Sequence, residues 1–155
     1  MYKRQIEYRA SDMIIAAESD AAYLVSPGAK SRAGGIYYLT DKTQEQFNGA
    51  VMVLAKTIKH VMSSAAEAEM LALFMNAQEL IPLKLCLEEL GHKQPPTTIK
   101  TDNSTAMGIA NETIKQKRSK SMDMRIHWVK DRVKQNQFKV TWEAGASNLA
   151  DYPTK

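Results

Sequence analysis

The stretch Met13-Ile14-Ile15-Ala16-Ala17-Glu18-Ser19-Asp20 decides the fold, because it joins a short apolar run to an acidic end. Residues 13–17 predict a buried strand, followed by a polar break that ends in Ser26-Pro27-Gly28. Asp20 then follows a strand, and strand ends are where α/β sheets commonly place catalytic groups. Taken alone, Asp20 is more simply interpreted as a loop aspartate. Glu18, two residues earlier on the same face of the strand, is the alternative candidate for the same role.

The order of the remaining elements indicates an α/β fold. Short connections join strands predicted at residues 33–39 and 50–58 to the first strand, which favours an antiparallel meander. Ser63-Ser64 offers a cap for a helix predicted at residues 65–80, and further helices are predicted at 82–90 (starting at Pro82), at 104–111 with Ser104 as the cap, and at 121–135. Strands are predicted at 97–102 and 138–142. In the last one Phe138, Val140 and Trp142 alternate with Lys139 and Thr141, so these apolar side chains are expected to face the core. Right-handed crossovers between parallel neighbours give a mixed five-stranded sheet, with three antiparallel strands and then two parallel ones, flanked by helices.

Length and composition fit one domain. The 155 residues, 44% of them hydrophobic and 25% charged, suit a single globular unit over residues 13–155, with residues 1–12 as a linker or edge segment. No apolar run approaches the roughly 18–20 residues that cross a bilayer, so we expect no membrane partner. Cys86 is the only cysteine, which excludes an internal disulfide and favours a reducing compartment; its apolar surroundings predict a buried side chain.

The net charge of +4 is concentrated in one segment. Between Ile114 and Lys139, nine Lys or Arg residues face only two Asp, so the rest of the chain is slightly acidic. A basic surface separate from acidic pockets is typical of enzymes that act on phosphodiesters. A solvated helix face explains the same charges equally well.

Glu69 is the acidic residue that helical periodicity singles out. Its neighbours three and four positions away are all apolar, namely Ala65, Ala66, Ala72 and Leu73, so it interrupts an inward-facing stripe. Glu67 has more polar neighbours and is expected to face solvent. A carboxylate in an apolar stripe is costly unless it is paired or bound to metal. Glu69 is therefore a candidate ligand, although a buried pair with lysine would give the same pattern.

Asp102 and Asp151 complete a set of four acidic candidates with Asp20 and Glu69. Asp102 closes a predicted strand, where helix capping by Asp102, Asn103 or Ser104 is the competing explanation. Asp151 lies in a polar C-terminal stretch whose default interpretation is a tail. Gathered in one pocket, the four carboxylates would repel each other and need cations. Two magnesium ions about 3.5–4 Å apart are a known use of such a cluster.

Several short motifs follow one another along the chain. They are Ser19-Asp20-Ala21-Ala22-Tyr23-Leu24, Ser31-Arg32-Ala33-Gly34-Gly35, Ser63-Ser64-Ala65-Ala66-Glu67-Ala68-Glu69-Met70, Thr101-Asp102-Asn103-Ser104-Thr105-Ala106, residues 118–128 and Asn148-Leu149-Ala150-Asp151-Tyr152-Pro153-Thr154-Lys155. Each motif alone has modest specificity, but the ordered set covers the chain from about residue 13 to its end. In this order the motifs resemble the ribonuclease H domain at the C-terminal end of copia-type LTR retrotransposon polyproteins.

The resemblance implies a ribonuclease H-like fold and hydrolysis of the RNA strand of an RNA/DNA hybrid during reverse transcription. It implies Asp20, Glu69, Asp102 and Asp151 as catalytic ligands of two Mg²⁺ ions, with Mn²⁺ as a possible substitute. Such ions activate a water molecule and stabilise the leaving oxygen.

The resemblance also implies a set of contacts with nucleic acid. Selection for RNA would come from 2′-hydroxyl contacts in the minor groove, near Ser104. Phosphate contacts, independent of sequence, are expected from the basic segment; the candidates are Lys115, Lys117, Arg118, Lys120 and Arg125, with Lys130 and Arg132. Implied partners are the hybrid and a covalently linked reverse transcriptase, and the implied location is cytoplasmic, in a virus-like particle.

Two departures from cellular ribonucleases H are visible. Residues 143–147 lack the histidine that often precedes the last aspartate, so turnover is expected to be slow. Only four residues follow Asp151, which leaves little room for the helix that holds this ligand in relatives. The alternative function is a catalytically silent module of the same fold that only binds nucleic acid or tethers a polymerase. Integrases and proofreading exonucleases of the fold fit less well, because their acidic patterns differ.

Overall fold

The fold is one mixed sheet with helices on its faces. The computed structural model describes residues 8–115 and 123–155. The elements are β1 (Ile14–Ser26), β2 (Lys30–Thr40), β3 (Ala50–Thr57), α1 (Ala65–Glu89), β4 (Thr97–Thr101), α2 (Ser104–Ala110), α3 (Asp123–Lys134), β5 (Phe138–Trp142) and α4 (Asp151–Thr154). The strand order is β3-β2-β1-β4-β5. The pairs β1–β2 and β2–β3 are antiparallel, whereas β1–β4 and β4–β5 are parallel. This confirms the predicted fold class.

Strand β1 is much longer than predicted. It does not stop at Ala17 but continues to Ser26, so the predicted polar break is wrong and Asp20 lies within the strand. The extension is held by pairing with β2, which runs from Ile14 opposite Thr40 to Ala22 opposite Arg32 and, after a shift in register, includes Ser26 opposite Lys30. On its other side, β1 pairs with β4 only as far as Ser19 opposite Thr101. Asp20 therefore lies just beyond the last residue of β1 that pairs with β4.

Helix α1 is a single helix and not the two that Pro82 predicted. Ser64 caps it by accepting a hydrogen bond from the Glu67 backbone N–H, as predicted. Buried residues on both sides of the proline, Leu80 and Leu87, anchor both halves in the same core, which explains the continuity. By length and composition alone α1 could also cross a membrane, but here it packs along the sheet.

Helices α2 and α3 and strand β5 are close to their predicted bounds. Asn103, and not Ser104, caps α2, because its side chain accepts the Ala106 N–H at 3.0 Å. This leaves the Asp102 carboxylate without the capping role. The single turn α4 was not predicted, and it begins at Asp151.

Two side chains differ in exposure from their predicted positions in the core. Cys86 is exposed, since its position in α1 turns away from the sheet. Trp142 ends β5 with 54% of its surface exposed, whereas Phe138 and Val140 on the same strand are buried. The strand alternation predicted the inward face of β5 correctly, but Trp142 lies at the sheet end, where it is only half covered.

Residues 8–12 carry no helix or strand but are tied to the sheet. The Asn48 side chain accepts the Arg9 N–H at 2.7 Å and donates to the Arg9 carbonyl at 2.8 Å. The Tyr8 hydroxyl donates to the Ala50 carbonyl, and the Asp12 carboxylate accepts the Lys42 N–H. The boundary between residues 1–12 and the domain stays a prediction.

Two adjacent glycines in β2 allow close packing on both faces of the sheet. A Cβ on Gly35 would lie 1.8 Å from the Asn76 side-chain oxygen of α1, and one on Gly34 would lie 2.5 Å from Thr154 Cγ2. Asn76 uses this space to donate to the Ser19 hydroxyl and to the Gly34 carbonyl, both at 2.9 Å, while it accepts from the Tyr37 hydroxyl. The glycine pair thus brings α1 and α4 against β1 and β2.

We predict that Gly35→Ala destabilises the protein by about 1–3 kcal/mol, because the added methyl group overpacks the contact with Asn76. Urea unfolding measures this change. Removing the Asn76 side chain relieves the clash, so the Gly35→Ala/Asn76→Ala double variant should be destabilised by less than the sum of the two single variants. Strict additivity would contradict this packing.

Candidate active site

Three of the four predicted acidic residues lie close together at the end of the sheet where β1 extends beyond its pairing with β4. Asp20 comes from β1, Glu69 from the second turn of α1, and Asp102 from the position directly after β4. One carboxylate oxygen from each of the three lies within 4.8 Å of those from the other two, a spacing that a bound metal ion permits. Asp20 and Glu69 are buried, and Asp102 is half-buried. Residues far apart in sequence therefore form one acidic group.

Of the three carboxylates, Glu69 lies in the electrostatically least favourable environment. Its Oε1 accepts the Ala21 N–H at 3.2 Å, but its Oε2 is buried with no hydrogen-bond partner among the described residues. Burial, together with the negative charges of Asp20 and Asp102, raises the pKa of Glu69 to about 8. At neutral pH the carboxyl group therefore holds a proton unless a cation takes its place.

Asp20 is held more firmly than Glu69. Burial raises its pKa, a hydrogen bond from the Thr154 hydroxyl works in the opposite direction, and the charges of Asp102 and Asp151 raise it further. The Thr154 Oγ1 lies 2.5 Å from Asp20 Oδ2. Glu18, its rival in the sequence, instead accepts the Leu149 N–H at 2.5 Å and lies outside the acidic group.

The surroundings of Asp102 come from the end of β5 and the loop after it. The indole N–H of Trp142 donates to the Asp102 carbonyl at 2.9 Å. A Cβ on Gly145 would lie 2.8 Å from Asp102 Oδ2, so this loop passes close to the carboxylate. Sequence reasoning placed Trp142 in the core and did not single out Gly145.

Asp151 lies near the group without joining it. It is half-buried at the start of α4, and its charge contributes to the raised pKa of Asp20. Its carboxylate forms an ion pair with Lys155, one turn later in the chain. The chain forms a single helical turn here, Asp151–Thr154. The role of Asp151 as a fourth ligand stays a prediction.

The segment that carries Asp151 is fastened to β1 by three contacts that sequence analysis missed. The Asn148 side chain donates to the Ser19 carbonyl at 3.0 Å, and the Leu149 N–H donates to Glu18. The third contact is the one between Thr154 and Asp20. In the sequence, the indication of such a role is that Asn148, Leu149 and Thr154 lie close to Asp151.

The predicted nucleic-acid contacts that the structure describes differ in their surroundings. Ser104 is exposed in the first turn of α2, two residues after Asp102, and Lys115 is exposed after α2. Arg125 is half-buried in α3 and hydrogen-bonded to His60 at 2.9 Å. It lines a groove between β3, α1 and α3, and none of the three carboxylates belongs to that lining. Lys117, Arg118 and Lys120 lie outside the described residues.

The acidic group fits a divalent metal ion. Oxygen ligands are what Mg²⁺ and Mn²⁺ prefer. The unpartnered Glu69 Oε2 is a buried acceptor that needs a cation or a donor. Mutual repulsion, visible in the raised pKa values of Glu69 and Asp20, would be relieved by the same cation. Asp20, Glu69 and Asp102 are the residues that would hold it.

Sequence comparison finds similarity to a retrotransposon Pol polyprotein. No family model matches the chain. It is 33% identical over 107 residues, 69% of its length, to the Retrovirus-related Pol polyprotein from transposon TNT 1-94 of Nicotiana tabacum. The match spans only 8% of that polyprotein. This agrees with the resemblance to a retrotransposon polyprotein domain.

Structure comparison finds ribonuclease H domains. The N-terminal RNase H domain of rv2228c from Mycobacterium tuberculosis superposes with a TM-score of 0.63 and 14% identity, covering 92% of this chain and 91% of that one. LC11-RNase H1, solved in complex with an RNA/DNA hybrid, gives 0.66 and 13%, covering 89% and 91%. The RNase H domain of prototype foamy virus (PFV) gives 0.56 and 12%, covering 91% and 90%. These similarities confirm the predicted ribonuclease H-like fold.

The raised pKa of Glu69 predicts how stability depends on pH without metal. The folded pKa of about 8 exceeds the ordinary 4.5, so the stability from this protonated carboxyl is fully present below pH 4.5 and is lost as the pH rises through 8. Glu69→Gln should remove this loss. With each pKa unit worth about 1.4 kcal/mol, the variant should exceed the wild type by at least about 1 kcal/mol at pH 8.5.

Urea unfolding in a chelator between pH 5 and 9 measures this effect. Glu89→Gln, which changes an exposed carboxylate at the other end of α1, is the matched control and should follow the wild-type profile. Parallel pH profiles for the wild type and Glu69→Gln would show that Glu69 does not take up a proton in the folded state.

Proposed function

We propose that this chain, which has the ribonuclease H fold and is similar to part of a retrotransposon Pol polyprotein, hydrolyses the RNA strand of RNA/DNA hybrids with divalent metal ions. It would act as an endonuclease in reverse transcription. The observation that carries the proposal is the convergence of Asp20, Glu69 and Asp102 within 4.8 Å. The repulsion among three buried or half-buried carboxylates at one sheet end would be offset by a bound cation.

The chain's own residues supply the binding and orientation. Asp20, Glu69 and Asp102 would hold the ions, and Asp151 would be a fourth ligand after release from Lys155. Two Mg²⁺ ions are proposed, with Mn²⁺ as a substitute. When bound, such ions provide an activated water molecule and stabilise the leaving oxygen. The backbone N–H of Ala21 and the hydroxyl of Thr154 orient the Glu69 and Asp20 carboxylates toward the shared centre.

The hybrid is the substrate that the comparisons favour. LC11-RNase H1 was solved with an RNA/DNA hybrid, and the sequence relative is a retrovirus-related Pol polyprotein. Ser104 is exposed two residues after Asp102, a suitable place for a contact to a 2′-hydroxyl. The basic residues from Lys115 onward would contact phosphates without sequence preference.

The wider setting is part of the same proposal. The domain would act within a polyprotein that includes a reverse transcriptase, in a cytoplasmic virus-like particle and without a membrane partner. The alternative, a silent module that binds nucleic acid without cleaving it, differs in one measurable way. It would show no divalent-metal binding that depends on Asp20, Glu69 and Asp102.

We predict that Asp102→Asn reduces hybrid cleavage on the order of a thousandfold or more, since loss of a metal ligand removes several kcal/mol of transition-state stabilisation. Affinity for the hybrid should be unchanged or higher, because one negative charge near the phosphates is removed. A labelled hybrid with and without Mg²⁺ reports which strand is cut. Asp131→Asn makes the same change on the exposed face of α3 and should cleave normally. Full activity of Asp102→Asn would remove this residue from the catalytic set.

Neutralising Lys117, Arg118 and Lys120 should weaken hybrid binding and flatten its salt dependence. The slope of log affinity against log salt should fall by about one for each phosphate that is no longer neutralised. Fluorescence anisotropy from 50 to 300 mM salt, about the range where phosphate binding dominates, measures the slope. Lys42→Gln/Lys93→Gln removes exposed charges at the opposite end of the sheet and is the control. An unchanged slope in the triple variant would show that these three charges are solvated and do not contact the hybrid.

A further inference from the structure

We propose that Thr154 is a positioning residue for the metal centre: its buried hydroxyl fixes the Asp20 carboxylate so that one oxygen stays available to the metal ions. The inference rests on the proposed function, since it assigns a supporting residue to that centre. Thr154 lies in α4, outside the acidic group itself. Nothing in its local sequence marks it as more than the end of a polar segment.

The geometry of the contact is specific. Thr154 is 1% exposed, and its Oγ1 lies 2.5 Å from Asp20 Oδ2 and 2.9 Å from the Asp151 carbonyl oxygen. A hydroxyl has one proton, so it donates to only one of these two acceptors at a time. The carboxylate is the stronger acceptor when ionised, and the shorter distance is to Asp20. The proton therefore belongs to the contact with Asp20.

The backbone opposite Thr154 is shaped to receive it. Gly34 pairs with Asp20 across the β1–β2 ladder, and any Cβ at Gly34 would lie 2.5 Å from Thr154 Cγ2 and 2.7 Å from the Ala150 carbonyl oxygen. The missing side chain creates the notch in which the Thr154 methyl group sits. The Thr154 methyl group therefore lies against Gly34, while the Thr154 hydroxyl group donates to Asp20.

This arrangement has a defined consequence for the metal centre. Hydrogen bonds to ligating carboxylates orient them, and removing such a bond typically costs about 10–100-fold in metal affinity or activity. Thr154 also belongs to the turn that begins at Asp151, so one side chain couples the placement of Asp20 to that of the predicted fourth ligand.

The test compares Thr154→Val, which keeps the shape and removes the hydroxyl, with Thr154→Ser, which keeps the hydroxyl. Mn²⁺ binding to the full chain without nucleic acid is measured by the electron paramagnetic resonance signal of free Mn²⁺. Thr154→Val should bind Mn²⁺ about 10–100-fold more weakly than the wild type, and Thr154→Ser should restore most of the affinity. Urea unfolding of each variant separates loss of fold from loss of binding.

Thr97→Val is the matched control. Thr97 is also fully buried, but its hydroxyl has no hydrogen-bond partner among the described residues, and it begins β4 at the end far from Asp102. It should bind Mn²⁺ as the wild type does. Equal affinity of the wild type and Thr154→Val, or failure of Thr154→Ser to restore binding, would overturn the assignment and leave the proposed function intact. Absence of carboxylate-dependent Mn²⁺ binding in the wild type would overturn both.

Discussion

The close approach of two helical segments to the middle of the sheet is the constraint on which the rest of this structure depends. Neighbouring residues of a strand face opposite sides, so Gly34 and Gly35 open one gap on each face at the same level of β2. Across the ladder from them lie Asp20 and Ser19. α1 fills one gap with Asn76, and α4 fills the other with Thr154. The absence of side chains at this level of β2 lets α1 and α4 approach the sheet beside the strand that carries Asp20.

The burial that stabilises the fold is unfavourable for the Glu69 carboxylate. The sheet and α1 bury a continuous apolar core that includes Ile15, Leu73 and Ile99. The same packing withdraws Glu69 from water and raises its pKa to about 8, so the folded chain carries a strained carboxyl group. The surrounding structure holds Glu69 in this unfavourable position, and binding of a cation would relieve the strain. A divalent cation at this position would therefore stabilise the fold as well as supply reactivity.

Much of the architecture was predictable because its signals are local. The alternation of Phe138, Val140 and their polar neighbours set β5, and the interrupted apolar stripe of α1 identified Glu69 as a buried acid. The length of β1 was not predictable, because Glu18, Ser19 and Asp20 look like a polar break. Their partners Leu149, Asn76 and Thr154 lie 131, 57 and 134 residues away in the sequence. The continuity of α1 through Pro82 likewise depends on packing from both sides.

The position of Trp142 has a practical consequence. Its indole N–H is bonded to the carbonyl of Asp102, and about half of the ring faces solvent. The chain has one other tryptophan, Trp128, which is partly buried against Phe74 and Arg132. Because indole emission responds to changes in polarity and hydrogen bonding, Trp142 forms a built-in optical reporter beside the carboxylates. Events at that end of the sheet become visible in the intrinsic fluorescence without any attached dye.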